Sequence, residues 1–124
     1  NAIQGQRILR RLCEHCRFSY TPPEEIIQSF KTVLGRFAPA NLSQLFKSKG
    51  CNECGGLGFL GRVGIFEVMV VTEKIIHLTL ERASASAIEK QAVEDGMMTM
   101  KQDGYLKVLE GVTTLEEVLR VAQD

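Results

Sequence analysis

The amino-acid sequence predicts a mainly α protein with a little β: a small helical zinc-binding lobe, a short strand or hairpin, and a C-terminal helical bundle. Three observations predict it. Two C-x-x-C pairs, Cys13-Glu14-His15-Cys16 and Cys51-Asn52-Glu53-Cys54, use all four cysteines of the 124-residue chain and stand 34 residues apart. One run, Val63-Gly64-Ile65-Phe66-Glu67-Val68-Met69-Val70-Val71, is rich in β-branched residues, as strands are. After it, four segments each open on Ser or Thr and repeat apolar residues at helical spacing.

The cysteine pairs carry the chemistry. Two cysteines three positions apart wrap a tight knuckle that aims both sulfurs at one point. A second knuckle brought close by folding completes the four-thiolate shell that zinc prefers. Cys13, Cys16, Cys51 and Cys54 are therefore the candidate metal ligands. The competing readings are four reduced thiols or two disulfides, and a disulfide within a C-x-x-C is strained and labile. Iron also takes four cysteines, so ligand chemistry alone leaves the metal open. His15 lies between two of the cysteines, but four thiolates already fill the shell, and it is expected in solvent. His77 has no companion histidine or carboxylate cluster in the sequence and is not a candidate ligand.

Taken in order, the chain opens on Asn1-Ala2-Ile3 and runs into Gln6-Arg7-Ile8-Leu9-Arg10-Arg11-Leu12. Ile8, Leu9 and Leu12 fall at i, i+1 and i+4, so residues 1–12 read as the end of a helix from a larger domain. Residues 13–54 form the tetracysteine zinc-binding lobe. Within it, Thr21-Pro22-Pro23-Glu24 is a helix start with a capping box, and Gly35 stops that helix. Asn41 is placed to cap a second, shorter helix through Leu42, Leu45 and Phe46. Residues 55–71 hold the strand, paired at most with residues 58–62, and its apolar character on both sides of Glu67 implies burial on both faces. A structural ion pair between Arg62 and Glu67 is expected there. From residue 72 to 124 the chain reads as helices, with Thr72, Ser84, Thr99 and the Thr113-Thr114 pair as caps and Gly96 and Gly111 as stops. Gly104 weakens the middle of the third of these helices. Met97, Met98 and Met100 are read as adaptable core filler.

The composition excludes more than it selects. The longest apolar runs are too short to span a bilayer as a helix. Trp is absent and aromatics make up 6% of the residues, which disfavours a stacking surface for nucleic acid. The net charge of zero hides an asymmetry: residues 1–62 carry nine Lys/Arg against four Asp/Glu, and residues 63–124 carry six against eleven. A zinc with four thiolates has a formal charge of about −2, so part of the basic excess serves to neutralise the site. The glycine-rich Cys54-Gly55-Gly56-Leu57-Gly58-Phe59-Leu60-Gly61 is no phosphate loop, because no G-x-x-x-x-G-K-[ST] occurs in the sequence.

Read together, Gln6-Arg7-Ile8-Leu9-Arg10-Arg11-Leu12-Cys13-x-x-Cys16, Cys51-x-x-Cys54, Gly58-Phe59-x-Gly61-Arg62-Val63-Gly64-Ile65-Phe66-Glu67, Gly96-Met97, Asp103-Gly104 and Gly111-x-Thr113-Thr114-x-Glu116-Glu117-Val118 form an ordered series. The series resembles the C-terminal part of the type II secretion and type IV pilus assembly (extension) ATPases. The resemblance implies a fragment of a RecA-like α/β motor, with a tetracysteine metal subdomain inserted, residues 55–71 returning to the motor sheet, and a C-terminal helical domain. It matches Cys13, Cys16, Cys51 and Cys54 to the family's metal ligands and implies a structural zinc. It also implies a homo-hexamer, cytoplasmic and peripheral to the inner membrane, that meets an inner-membrane platform or cytoplasmic-domain protein and no nucleic acid. ATP and magnesium would belong to the parent protein only. The Walker segments of that family are missing here, so no catalytic or cofactor-binding residue is assigned and this stretch alone is expected to be inactive.

Two other classes compete. Cys51-x-x-Cys54-x-Gly56-x-Gly58 matches a repeat of the J-protein cysteine-rich domain, a zinc-binding chaperone adaptor. The first pair departs from it, since Arg17-Phe18-Ser19-Tyr20 contains no glycine. A thiol oxidoreductase would need a low-pKa cysteine at a helix start within a thioredoxin-like sheet, and no such sheet is legible.

Overall fold

A long antiparallel ribbon forms the spine of the protein in the computed structural model, which describes residues 2–122; Asn1, Gln123 and Asp124 lie outside the described residues. Its strands are β1 (Ala2–Leu12) and β4 (Phe59–Val70), in register from Ala2 opposite Val70 to Leu12 opposite Phe59. The helix expected over residues 1–12 is thus a strand. The reason lies in a register shift between Arg10 and Leu12. In an unbroken strand, residues three apart point to opposite faces; the irregularity puts both Leu9 and Leu12 in the core, each 1% exposed. That spacing imitates a helical stripe in the sequence. Ile8, the third member of the apparent stripe, stays exposed.

The ribbon is buried on one face only. Ile65 is fully buried, whereas Phe66, Val68 and Val70, on the alternate face, are exposed. The strand is therefore longer than residues 63–71, pairs with β1 rather than with residues 58–62, and is not covered on both sides. Arg62 and Glu67 do not pair. Arg62 stands opposite Arg10, and the Glu67 carboxylate accepts a hydrogen bond from the Met100 amide at 2.9 Å.

Between the ribbon strands lies the cysteine lobe. It holds β2 (Arg17–Tyr20), α1 (Glu24–Leu34), a 3-10 turn (Gly35–Phe37) and β3 (Leu45–Ser48). β2 and β3 pair antiparallel, Arg17 opposite Ser48 and Tyr20 opposite Leu45, so the second helix expected after Asn41 is a strand. Leu42, Leu45 and Phe46 have helical spacing, but Leu45 and Phe46 are covered from opposite sides of β3. The α1 start also differs in detail. Pro23 is the N-cap and makes no side-chain capping bond, while Thr21 Oγ1 accepts from Gln44 Nε2.

The C-terminal helices follow the expected caps: α2 (Glu73–Leu80) from Thr72, α3 (Ala85–Glu94) from Ser84, α4 (Met100–Leu109) from Thr99 and α5 (Leu115–Val121) from Thr114. Thr99 and Gln102 close a complete capping box. These helices divide between two cores. α4 and α5 join α1, β1, β3 and β4 around Leu9, Phe30, Leu34, Leu45, Ile65, Tyr105, Val108 and Val118. Phe30 is fully buried, worth about 2–3 kcal/mol of apolar burial, and packs on the Tyr105 ring with centroids 4.5 Å apart and planes tilted by 44°. α2 and α3 close a smaller cluster of Ile75, Ala92 and Met97. Gly104 has a packing reason: a Cβ there would come within 2.6 Å of Val118 Cγ1, so its absence lets α4 and α5 touch.

Candidate metal centre

Each knuckle is set by its backbone. β1 delivers Cys13, whose amide bonds the Gly58 carbonyl at 3.0 Å, and the Arg17 amide returns to the Cys13 carbonyl at 3.1 Å, closing the first turn. The second knuckle turns through Gly55 amide to Asn52 carbonyl and Gly56 amide to Cys51 carbonyl. The Lys49 amide bonds the Cys16 carbonyl at 3.3 Å and so ties the two knuckles together. Gly50 and Gly58 are required here. Both have positive φ, and a Cβ on Gly50 would meet the Gly56 carbonyl oxygen at 2.6 Å, while one on Gly58 would collide with Ser48 Oγ.

The result is convergence. The four sulfurs of Cys13, Cys16, Cys51 and Cys54 all lie within 4.8 Å of one another, and they are the group among the described residues with metal-binding geometry. Three separations are resolved in detail: 3.7 Å for Cys13–Cys51, 3.9 Å for Cys16–Cys54 and 3.8 Å for Cys51–Cys54. A tetrahedron with metal–sulfur bonds of about 2.3 Å has edges of about 3.8 Å. A disulfide needs about 2.0 Å, so the thiols are free. The donor set and spacing suit one thiophilic ion.

The four sulfurs are not equivalent. Cys13 and Cys54 are buried; Cys16 and Cys51 are partly exposed. Burial works against the Cys54 thiolate, but the amides of Cys51 and Gly58, each 3.2 Å from its Sγ, outweigh it and bring the pKa down to about 6. At Cys16 burial prevails and raises the pKa to about 11, against a hydrogen bond from the Gly50 backbone. A thiolate stabilised by two amides would suit a bound ion, and coordination of all four sulfurs would require them deprotonated.

The histidines fall where the sequence put them. His15 is exposed beside the first knuckle and outside the sulfur cluster, and His77 is exposed and pairs with Glu81 at 3.0 Å on the far side of α2. What sequence reading missed is a buried carboxylate held by two exposed arginines, one of them on the strand that leads into Cys13. Glu117, 2% exposed, accepts from the Arg10 amide and the Arg10 and Arg120 guanidiniums, while Thr113 donates to the Arg10 carbonyl. The overlapping capping boxes at Thr113-Thr114-Leu115-Glu116-Glu117 were the available signal. Only Thr114 caps the helix.

Residues 1–120 match the family described as Type II/IV secretion system protein. The chain belongs to that family. Among curated relatives, it is 39% identical over 117 residues to the type IV pilus assembly ATPase PilB of Thermus thermophilus, covering 94% of this chain and 13% of the relative. It is 35% identical over 127 residues to PilB of Pseudomonas aeruginosa, covering all of this chain and 21% of that protein. It is 35% identical over 124 residues to type II secretion system protein E of Aeromonas hydrophila, covering 99% of this chain and 23% of that one. The chain therefore spans less than a quarter of these relatives' length. Family membership takes the place of the chaperone-adaptor alternative. Among the described residues no helix is long and apolar enough to cross a membrane.

Proposed function

We propose that this chain is the non-catalytic C-terminal module of a hexameric ATPase that powers type II secretion or type IV pilus assembly. In this reading one structural zinc sits on Cys13, Cys16, Cys51 and Cys54 and makes the cysteine lobe a rigid element. The observation that carries the reading is the convergence of four free thiols at the edge length of a zinc–thiolate tetrahedron, in a chain of this family. Zinc supplies no reaction step here: it crosslinks two knuckles across a long loop and so stabilises the fold. The chain's own residues orient the sulfurs, through the amides on Cys54 and the bond from Lys49 to Cys16.

The rest of the reading extends to the whole protein. The β1–β4 ribbon continues the sheet of a RecA-like motor, which is supported by the exposed apolar Ile8, Phe66, Val68 and Val70 on its outer face. ATP and magnesium bind elsewhere in that motor, since these residues contain no phosphate loop. The assembly works at the cytoplasmic side of the inner membrane, where the metal lobe docks a platform or cytoplasmic-domain protein of the machine; it has no nucleic-acid partner. The relatives' names, pilus assembly ATPase and type II secretion system protein E, support a role in pilus assembly or secretion.

The test is elemental analysis of the purified chain together with calorimetric titration of magnesium ATP. About one zinc per chain, lost in a Cys13→Ser variant, and no heat of nucleotide binding are expected. Folded protein without metal would overturn the zinc reading, and micromolar ATP binding would overturn the non-catalytic one.

A further inference from the structure

The seven residues from Gly111 to Glu117 make an unusual set of contacts. Leu12 donates its amide to the Val112 carbonyl at 2.8 Å. Thr113 Oγ1 donates to the Arg10 carbonyl at 2.8 Å. Glu117 receives the Arg10 amide at 2.8 Å and the Arg10 guanidinium at 3.0 Å. Arg17 Nη1 donates to the Gly111 carbonyl at 2.7 Å. The partners in these four contacts flank the first cysteine pair: Arg10 and Leu12 lead into Cys13, and Arg17 follows Cys16, while Arg120 meets Glu117 from within α5. Thr113 and Glu117 are 0% and 2% exposed, so the clasp's own side chains lie out of water, while the Arg10 guanidinium stays exposed. Gly111 fits because a Cβ there would lie 3.0 Å from both Arg17 Nη1 and the Phe46 ring, at a φ of +79°.

We infer that residues 111–117 are a clasp that joins the first cysteine knuckle to α5, so that metal occupancy and the packing of the C-terminal helix rise and fall together. The clasp holds the backbone that leads into Cys13 and anchors the Arg17 side chain just after Cys16, and those contacts set how the first knuckle aims its two sulfurs. Thr113 and Glu117 are positioning residues: they touch no sulfur and act through the β1 backbone. Coupling should stop at α2 and α3, which pack on the separate cluster of Ile75, Ala92 and Met97. With respect to the metal the C-terminal helices thus differ: α4–α5 share the lobe's core, whereas α2–α3 pack on a separate cluster and meet the lobe through an exposed bond, from Arg36 to the Val93 carbonyl.

This inference rests on the zinc reading, and its test separates the two. Zinc-loaded chain is mixed with excess chelator and release is followed with a metallochromic dye. Thr113→Val, which keeps the shape and removes the donor, and Glu117→Gln should each release zinc about fivefold faster. Ile75→Ala, which disturbs the separate α2–α3 cluster, should stay within about twofold of the native rate. Hydrogen exchange on the stripped chain should show residues 115–121 losing protection together with residues 13–20, while residues 73–94 keep theirs. Native release rates in both clasp variants, acceleration by Ile75→Ala to match them, or a stripped chain with fully protected α5 would each overturn the clasp. Uniform loss of protection in all helices would also overturn it, because that is global unfolding. A purified chain that takes up no zinc would instead overturn the zinc reading itself.

Discussion

Replacing Glu117 with Gln should cost the fold about 1–2 kcal/mol at neutral pH, with a dependence on pH that identifies the cause. Glu117 is the one buried carboxylate among the described core residues. Burial alone would raise its pKa. The hydrogen bonds from Arg10 and Arg120, and the Arg10 amide, outweigh burial and hold the carboxyl down to about 2 against an ordinary 4.5. At 1.36 kcal/mol per pH unit that difference corresponds to about 3 kcal/mol in favour of the folded state. The Arg10 and Arg120 side chains are 59% and 56% exposed, so water screens the pairs and the lower figure is expected. Because the folded-state pKa is depressed, the stabilisation is present above the unfolded pKa and is lost as pH falls from about 4.5 towards 2. Less than half should remain at about pH 3. Urea unfolding of native and Glu117→Gln protein across pH 7 to 3 measures it. A difference in stability that stays constant from pH 7 to pH 3 would refute the electrostatic account and leave only a packing defect.

Gly104→Ala should destabilise by about 1–3 kcal/mol in thermal unfolding, because the added methyl meets Val118 within a tight helix crossing. A stabilised variant would mean that helix propensity outweighs packing there. Gly58→Ala, strained at a φ of +82° and blocked by Ser48, should lower zinc content as read by elemental analysis; full retention would show that the second knuckle tolerates the change. Val68→Thr with Val70→Thr should leave the urea midpoint nearly unchanged but reduce self-association of the isolated chain in sedimentation, since both side chains sit on the uncovered ribbon face. Equal association in the variant would place the contact elsewhere.

The cysteine spacing and the four caps are local signals, and local signals survive folding. Two sulfurs three residues apart must share a turn, and Thr72, Ser84, Thr99 and Thr114 each meet an amide only three residues ahead. So the four-thiol group and the C-terminal helices were legible without a structure. That both knuckles meet was implied by composition, because four thiols in two pairs have few other uses. The elements that only tertiary structure decided are those whose periodicity was ambiguous. Leu9 and Leu12 read as one helical face until a register shift placed both on the inner face of a strand. Leu45 and Phe46 read as a helix until β2 offered β3 a partner and burial came from two sides. Glu117 read as half of a capping box; its burial depends on Arg10, 107 residues earlier, and no local pattern encodes a pairing over that distance. The sequence by itself determined which atoms could hold a metal ion, because ligand chemistry is short-range. The tertiary structure decided what holds those atoms in place, because a backbone amide or a guanidinium finds its buried partner only after the chain has closed.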